Sequence, residues 1–325
     1  MRVLVHASRE LAHPHAGGSE VYMDQVLQGL HDLGDEVHLA TAAPVGERVY
    51  ETSANGGTFS QFFRAPIELL TRRRHYDVVI DVANGMTFYS PLFRRRPTIC
   101  LVHHIHTRMW AEWFPAPVAA FGRFLERRMM PLVYRRSIFI AVSPSTSREL
   151  QRLGVAADRI RIVHNSTAVP TEPLAATDPV PLFVACGRLV PHKQFHLLLE
   201  HWPTVRAATG GRLVIIGEGP ERSRLEDLLT EGASLAGRVD EDERDRLLAR
   251  ATALLHPSYV EGWGLVIMEA AAQGTPAVGF DVPGVRDSIV DGETGWICHD
   301  VDHLVKQWIA TTADRERLDM VSAAA

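Results

Sequence analysis

The sequence predicts an α/β protein of two doubly wound parallel-sheet domains facing a central cleft. Three observations carry this. Apolar strand-like runs alternate with helix-period segments in both halves of the chain. The alternation breaks once, at STAVPTEPLAATDPV from Ser166, where three prolines and small polar residues show no periodicity. The halves also differ in charge: residues 1–165 hold 20 arginines, no lysine and 15 acids, a net of +5, whereas residues 166–325 hold 14 bases and 24 acids, a net of −10. We therefore expect one domain over 1–166, a linker over 167–180 and a second domain over 181–325. A chain of 325 residues exceeds what one hydrophobic core usually supports.

In the first half, strands are expected at Arg2–His6, Glu36–Thr41, Asp77–Val82, Thr98–His103, Ile138–Ser143 and Arg161–His164. A helix carries Val26, Leu27, Leu30 and Leu33 and ends near Gly34. A long helical stretch covers about Pro117–Arg136, and another helix Ser145–Leu153. In the second half, strands are expected at Leu182–Cys186, Arg212–Ile216, Ala253–His256 and Pro276–Phe280. Helices are expected at Phe195–Ala208, Glu221–Leu229, Glu241–Ala251 and Leu265–Gln273. Ligands of such sheets collect at the carboxyl ends of the strands.

Composition narrows the class. Apolar residues make up 46% and charged residues 22%, the balance of a soluble enzyme. No apolar run is long enough to cross a bilayer, and the N-terminus opens directly on a strand, so a cytoplasmic protein without a signal peptide is expected. Cys100, Cys186 and Cys298 are odd in number and far apart, which suits reduced thiols rather than a disulfide framework or a zinc site.

Four segments carry chemistry. Gly17-Gly18-Ser19-Glu20, between a strand and a helix, is either a phosphate cradle at a helix N-terminus or a plain turn capped by Ser19. Gly187-Arg188 follows a strand, with Lys193 close behind. Fixed cations of this kind neutralise a departing diphosphate without a metal, and Lys193 is one of only two lysines in the chain. Glu261-Gly262-Trp263-Gly264-Leu265-Val266-Ile267-Met268-Glu269 places one carboxylate at the Gly-rich start of a helix and another inside it. A carboxylate in so apolar a helix needs a hydrogen-bond partner. It finds one either in sugar hydroxyls or in the protein's own backbone. Gly217 at a strand end, Gly237-Arg238-Val239 and Asp291–Gly295 are turns that either close loops or line the same site. Finally, His103-His104-Ile105-His106 ends a strand. Strand alternation turns His104 away from its neighbours and no acid or cysteine cluster lies near in sequence, so one histidine facing the cleft is expected rather than a metal site.

Together these segments resemble glycosyltransferase family 4. The resemblance spans nearly the whole chain and rests on GGSE, GRLVPHK, IIGEGP and EGWGLVIMEAAAQGTPAVGF in the right order. It implies the GT-B fold of two Rossmann-like domains, the acceptor on the first and a nucleotide sugar on the second. It implies that Arg188 and Lys193 hold the diphosphate and that Glu269 binds the ribose hydroxyls. Glu261 contacts the transferred sugar, and Gly18, beside Gly17 in the donor-binding set, presents backbone N–H to phosphate. His103 is the active-site histidine, Arg238 and Val239 lie at the base, and Gly217, Gly262, Trp263, Gly264 and Leu265 line the donor pocket. Retention of anomeric configuration follows from the same resemblance, and no cofactor or metal is expected because cations and helix N-termini already face the diphosphate. The chain departs from the family at Asn165-Ser166-Thr167-Ala168, where Asn-Gly-Val-Asp is common, and it stops at Ala325, before the helix by which the family crosses back onto the first domain.

Two other classes fit a two-sheet chain. One is a nucleotide-sugar-binding module without catalysis. The other is an NAD-dependent oxidoreductase, which lacks its GxGxxG fingerprint here. On the partner side, Arg72-Arg73-Arg74, Arg94-Arg95-Arg96, Arg127-Arg128 and Arg135-Arg136 either hold the first domain peripherally at an anionic membrane or are solvated charge. No nucleic acid is expected, because the whole chain is acidic and carries no recognition motif.

Overall fold

The computed structural model describes residues 1–14, 16–71, 76–107, 109–170 and 177–325. The chain forms two compact units, Met1–Asn165 and Ser166–Ala325.

The first unit holds β1 (Arg2–His6), β2 (Glu36–Thr41), β3 (Glu51–Ala54), β4 (Val78–Ala83), β5 (Thr98–Val102), β6 (Ile138–Ala141) and β7 (Ile160–Ile162). All pair in parallel, in the order β3-β2-β1-β4-β5-β6-β7. Val3, Leu4, Val5, Val79 and Val82 are buried, as strands covered by helices on both faces require. The second unit holds β8 (Leu182–Cys186), β9 (Arg212–Ile216), β10 (Ala233–Gly237), β11 (Ala253–His256), β12 (Ala277–Phe280) and β13 (Gly295–Cys298). These are also parallel, in the order β10-β9-β8-β11-β12-β13. Its main core packs Phe183, Trp202 and Trp308, with the two indoles stacked at 5.8 Å.

The α/β architecture of two parallel sheets is as the sequence predicts, but several elements differ. β3, β10 and β13 are short strands with weak alternation and the helix Gln61–Thr71 is interrupted by Pro66, so all four escape sequence reading. β5 ends at Val102 and β6 at Ala141, before the histidines and Ser143 expected within them; Ser143 instead caps the helix Pro144–Arg152, accepting from Thr146 N–H at 3.1 Å. The long helical stretch is realised as Ala116–Phe124, a π turn over Leu125–Met129, and Met130–Val133. Residues 171–176 of the expected linker and Arg72-Arg73-Arg74 lie outside the described residues. The three cysteines are free thiols, with Cys100 and Cys298 buried. Among the described residues, no helix is long and apolar enough to cross a membrane.

Candidate active site

In the second sheet the strand order reverses between β8 and β11, and the carboxyl ends of those two strands open the crevice where ligands of doubly wound sheets bind. Three segments meet there. β8 runs into Gly187-Arg188 and the short turn Pro191–Lys193. β11 ends on His256 and runs on to Glu261. β9 ends beside them at Gly217, whose φ is +139°. A Cβ on Gly217 would lie 1.9 Å from the Gly187 carbonyl oxygen, so only glycine lets the two strand ends approach this closely.

The Lys193 Nζ donates to Glu261 Oε2 at 2.6 Å, His256 Nε2 lies 3.2 Å from the same oxygen, and the Gly262 N–H donates to Oε1 at 3.1 Å. Burial works to raise the Glu261 pKa, but Lys193 and His256 outweigh it and hold the carboxyl well below its ordinary range. Burial and the Lys193 charge together push His256 down. The centre is therefore a cation and a carboxylate joined beside a neutral imidazole. Arg188 is half-buried just upstream.

Gly264 begins the helix Leu265–Ala272 in a left-handed conformation, φ +80°, which turns the chain from Glu261 into that helix; Trp263 and Leu265 are buried around it. Glu269, one face further along, is held by Arg244, whose Nη1 donates to Oε1 at 3.0 Å. Burial raises the Glu269 pKa and Arg244 opposes the rise. The partner that an acid in this helix requires is thus first of all an arginine from the helix Glu241–Arg250. Arg238 stands exposed after β10. Val239 is drawn into the apolar cluster around Leu182, Val184 and Ile216, so its side chain serves the core.

The first unit presents a second set of residues at the carboxyl edge of its own sheet. The helix Gly18–Asp32 is capped by Gly17, not by Ser19: Glu20 N–H donates to the Gly17 carbonyl at 3.0 Å, and the Glu20 carboxylate accepts from Gly17 N–H at 2.7 Å. Glu20 thereby occupies the Gly17 donor, and the expected anion contact falls to Gly18. His103 directly follows β5 and is buried. Burial and neighbouring His104 lower its pKa to about 3, which keeps the ring neutral, and its Nε2 has no hydrogen-bond partner among the described residues. Because β5 ends at Val102, strand alternation does not govern the histidines, and the expectation that His104 stands apart fails: His104 and His106 stack at 4.0 Å. Among the described residues no three His, Cys, Asp or Glu side chains converge as metal ligands would.

Several residues of these sites are invisible to sequence reading. His256 and Arg244 reach the second-unit site only through the fold. In the first unit, Asp81 on β4 receives the Ser90 N–H and Oγ at 3.0 and 2.8 Å and the Tyr134 hydroxyl, with His6 Nδ1 of β1 at 2.9 Å; this network ties β1 to β4 where the first sheet reverses its order. Glu126, on the π turn, fastens the histidine loop. It accepts from His106 N–H at 2.6 Å, Thr107 Oγ1 at 3.1 Å and Trp110 Nε1 at 3.3 Å. Burial nevertheless raises its pKa to about 7.

A carboxyl raised in the folded state contributes stability that is full below its unfolded value and lost as pH rises through 7. Stability lost between pH 5 and pH 8 is therefore expected to be smaller in Glu126→Gln than in the parent chain, by up to about 3 kcal/mol. Urea unfolding at the two pH values measures it. Equal losses in both proteins would show that Glu126 is ionised throughout.

Two family models match, glycosyltransferase family 4 over residues 16–168 and glycosyl transferases group 1 over residues 171–325. A glycogen synthase of Mycobacterium tuberculosis is 33% identical over 213 residues, covering 62% of this chain and 50% of its own. A sulfoquinovosyl transferase of Arabidopsis thaliana is 26% identical over 343 aligned positions, covering 96% of this chain and 67% of its own. The chain thus spans about half the length of the first of these relatives. In structure it is similar to Anabaena HepE in complex with UDP-glucose, with a TM-score of 0.79 at 16% identity, covering 100% of this chain and 93% of that one.

Proposed function

From the premise that the chain belongs to glycosyltransferase family 4, with the GT-B fold, we propose that it is a retaining glycosyltransferase that transfers a hexose-like sugar from a nucleoside diphosphate. The observation that carries this reading is the Lys193–Glu261–His256 cluster at the β8/β11 crevice. A nucleotide sugar there sets its diphosphate against Arg188 and Lys193. Its ribose reaches Glu269 and its base Arg238. The sugar lies over Glu261 and the Gly262–Leu265 turn.

In the reaction the bond from the anomeric carbon to the diphosphate oxygen breaks, and a bond to the acceptor oxygen forms on the same face. The acceptor proton passes to the departing phosphate oxygen. Glu261 suits charge stabilisation better than covalent attack, since an anion already accepting from Lys193 and Gly262 N–H is a poor nucleophile. Lys193 and Arg188 meet the charge that grows on the leaving group. The first unit is assigned the acceptor side, a lipid, glycan or small molecule, with neutral His103 as a hydrogen-bonding group and Gly18 as an anion contact. The neutral imidazole is a donor or acceptor there rather than a strong base.

A thermal-shift series with UDP-, GDP-, ADP- and dTDP-sugars in EDTA tests the reading. One donor is expected to stabilise the protein, by about 2.7 kcal/mol at a hundredfold excess over Kd, and to be hydrolysed slowly without acceptor. No shift with any donor would remove the donor site. A shift with no hydrolysis or transfer would make the chain a binding protein. Activity abolished by EDTA and restored by manganese would overturn metal independence.

A further inference from the structure

Alternate residues of β4 locate two helices on one face of the first sheet. Val79 packs with Leu69 of the helix Gln61–Thr71, while Ala83 packs with Met130 and Tyr134 of the segment Ala116–Tyr134. Between them Asp81 binds the Tyr134 hydroxyl. The sides of both helices that point away from the sheet therefore belong to the same surface of the unit.

That surface is apolar and positive. On the first helix Phe63, Ile67 and Leu70, spaced i, i+4 and i+7, form one stripe and are 77%, 57% and 67% exposed. On the second, Phe121, Phe124 and Leu132 are more than half exposed. Arg64 stands beside the first stripe, and Arg127 and Arg128 are exposed on the second helix; none of the three has an ion-pair partner among the described residues. The acids of these helices do the opposite. Glu68 and Glu126 are buried, Glu68 accepting from Asn55 Nδ2 at 2.9 Å and Glu126 from the histidine loop. In the second unit, by contrast, the exposed large hydrophobics are scattered and none is aromatic.

We propose that this face docks the protein onto an anionic lipid bilayer, with the phenylalanine and leucine side chains entering the headgroup layer and the arginines meeting lipid phosphates. A stripe of long apolar side chains flanked by arginines, with no outward carboxylate on either helix, matches an interfacial layer that is apolar below and anionic above. A protein partner would need a shaped complement to two separate helices. The inference rests on the transferase reading only in making the bilayer the place where the acceptor lies. Docking itself needs neither donor nor acceptor.

The test is co-sedimentation of the full chain with phosphatidylcholine vesicles, with and without phosphatidylglycerol, at low and high salt. Binding is expected only with the anionic lipid and is expected to weaken as salt screens it. Arg127→Glu/Arg128→Glu should lower the partition by at least about 25-fold, roughly fivefold per arginine removed. Phe63→Ser/Ile67→Ser should lower it by at least about tenfold at unchanged charge. Both variants change exposed positions, so unchanged melting and an unchanged donor-induced thermal shift confirm that the fold and donor site are intact. Absence of binding at low salt overturns the proposal, as does binding indifferent to the Phe63/Ile67 change. Retention on immobilised polyglutamate but not on vesicles also overturns it, and makes the face a protein interface. If no nucleotide sugar binds while vesicles do, the transferase reading fails and the docking surface stands.

Discussion

Lys193→Ala is expected to lower turnover by about 10²-fold or more with a smaller change in donor affinity, because the lysine is proposed to act on charge that develops as the diphosphate leaves. The structure adds a second consequence. Lys193 is the ammonium that holds Glu261, with their side chains 15% and 19% exposed. Without it, Glu261 keeps, among the described residues, His256 and the Gly262 N–H. Removing one partner of a well-buried pair costs about 3–5 kcal/mol, and partial exposure puts this pair at or below the low end of that range.

The pH dependence follows with a definite sign. A carboxyl whose pKa is depressed by folding contributes stability above its unfolded value and loses it as pH falls through the folded one. Lys193→Ala raises the folded value, so the variant should lose its acid stability at a higher pH than the parent chain. Glu261→Gln in the Lys193→Ala background should recover stability but not turnover, which separates the structural role of the pair from its chemical one. Near-normal kcat in a folded Lys193→Ala protein would sink the assignment.

The second large effect is on folding. Gly217→Ala places a methyl 1.9 Å from the Gly187 carbonyl oxygen and 2.9 Å from its carbon, both backbone atoms that cannot swing aside. The φ of +139° is a further strain for any L side chain. Relief requires moving the end of β9 against its neighbours, where Gly187 N–H after β8 donates to Ile216 O at 3.0 Å and Gly217 N–H donates to Gly237 O of β10 at 2.8 Å. A loss of at least about 3 kcal/mol is expected from overpacking and backbone strain together. Gly210→Ala is the control: φ is +66° and nothing lies within 4 Å of the added methyl, so only the left-handed backbone penalty of about 1 kcal/mol is expected there. Urea unfolding followed by tryptophan fluorescence reads both, since Trp202 and Trp308 sit in the core of this unit. Equal costs at the two glycines would mean that the strand ends yield easily.

The helix Gln61–Thr71 shows where sequence reading stopped. Its apolar residues Phe62, Phe63, Pro66, Ile67, Leu69 and Leu70 do lie along one side, but Pro66 within the run reads as a helix breaker, and the fold leaves Phe63, Ile67 and Leu70 of that side exposed. Its only acid, Glu68, is turned inward to Asn55. The histidine loop is a similar case. The pattern CLVHH places His103 at a strand end, but whether the histidines alternate depends on where β5 stops, and that is set by pairing with β4 and β6 up to Val102. Glu126, twenty residues from His106 in sequence, has no local signature that marks it as the fastener of that loop.

What the sequence by itself determined is what short stretches of chain encode. Alternating strand and helix runs with a proline-rich break specify two parallel-sheet units, because burial on both strand faces demands continuous apolar runs. The Gly-rich turns, the paired glutamates and the rare lysine mark the residues that carry charge at the ends of strands. Only the tertiary structure decided which of those residues meet. Lys193 reaches Glu261 across 68 residues of sequence, Arg244 reaches Glu269 across 25, and Tyr134 reaches Asp81 across 53. Such pairings depend on the order in which parallel strands lie side by side. That order is set by which arrangement of the whole sheet buries the most apolar surface while satisfying every polar group it encloses, a condition on the complete fold that no local segment carries.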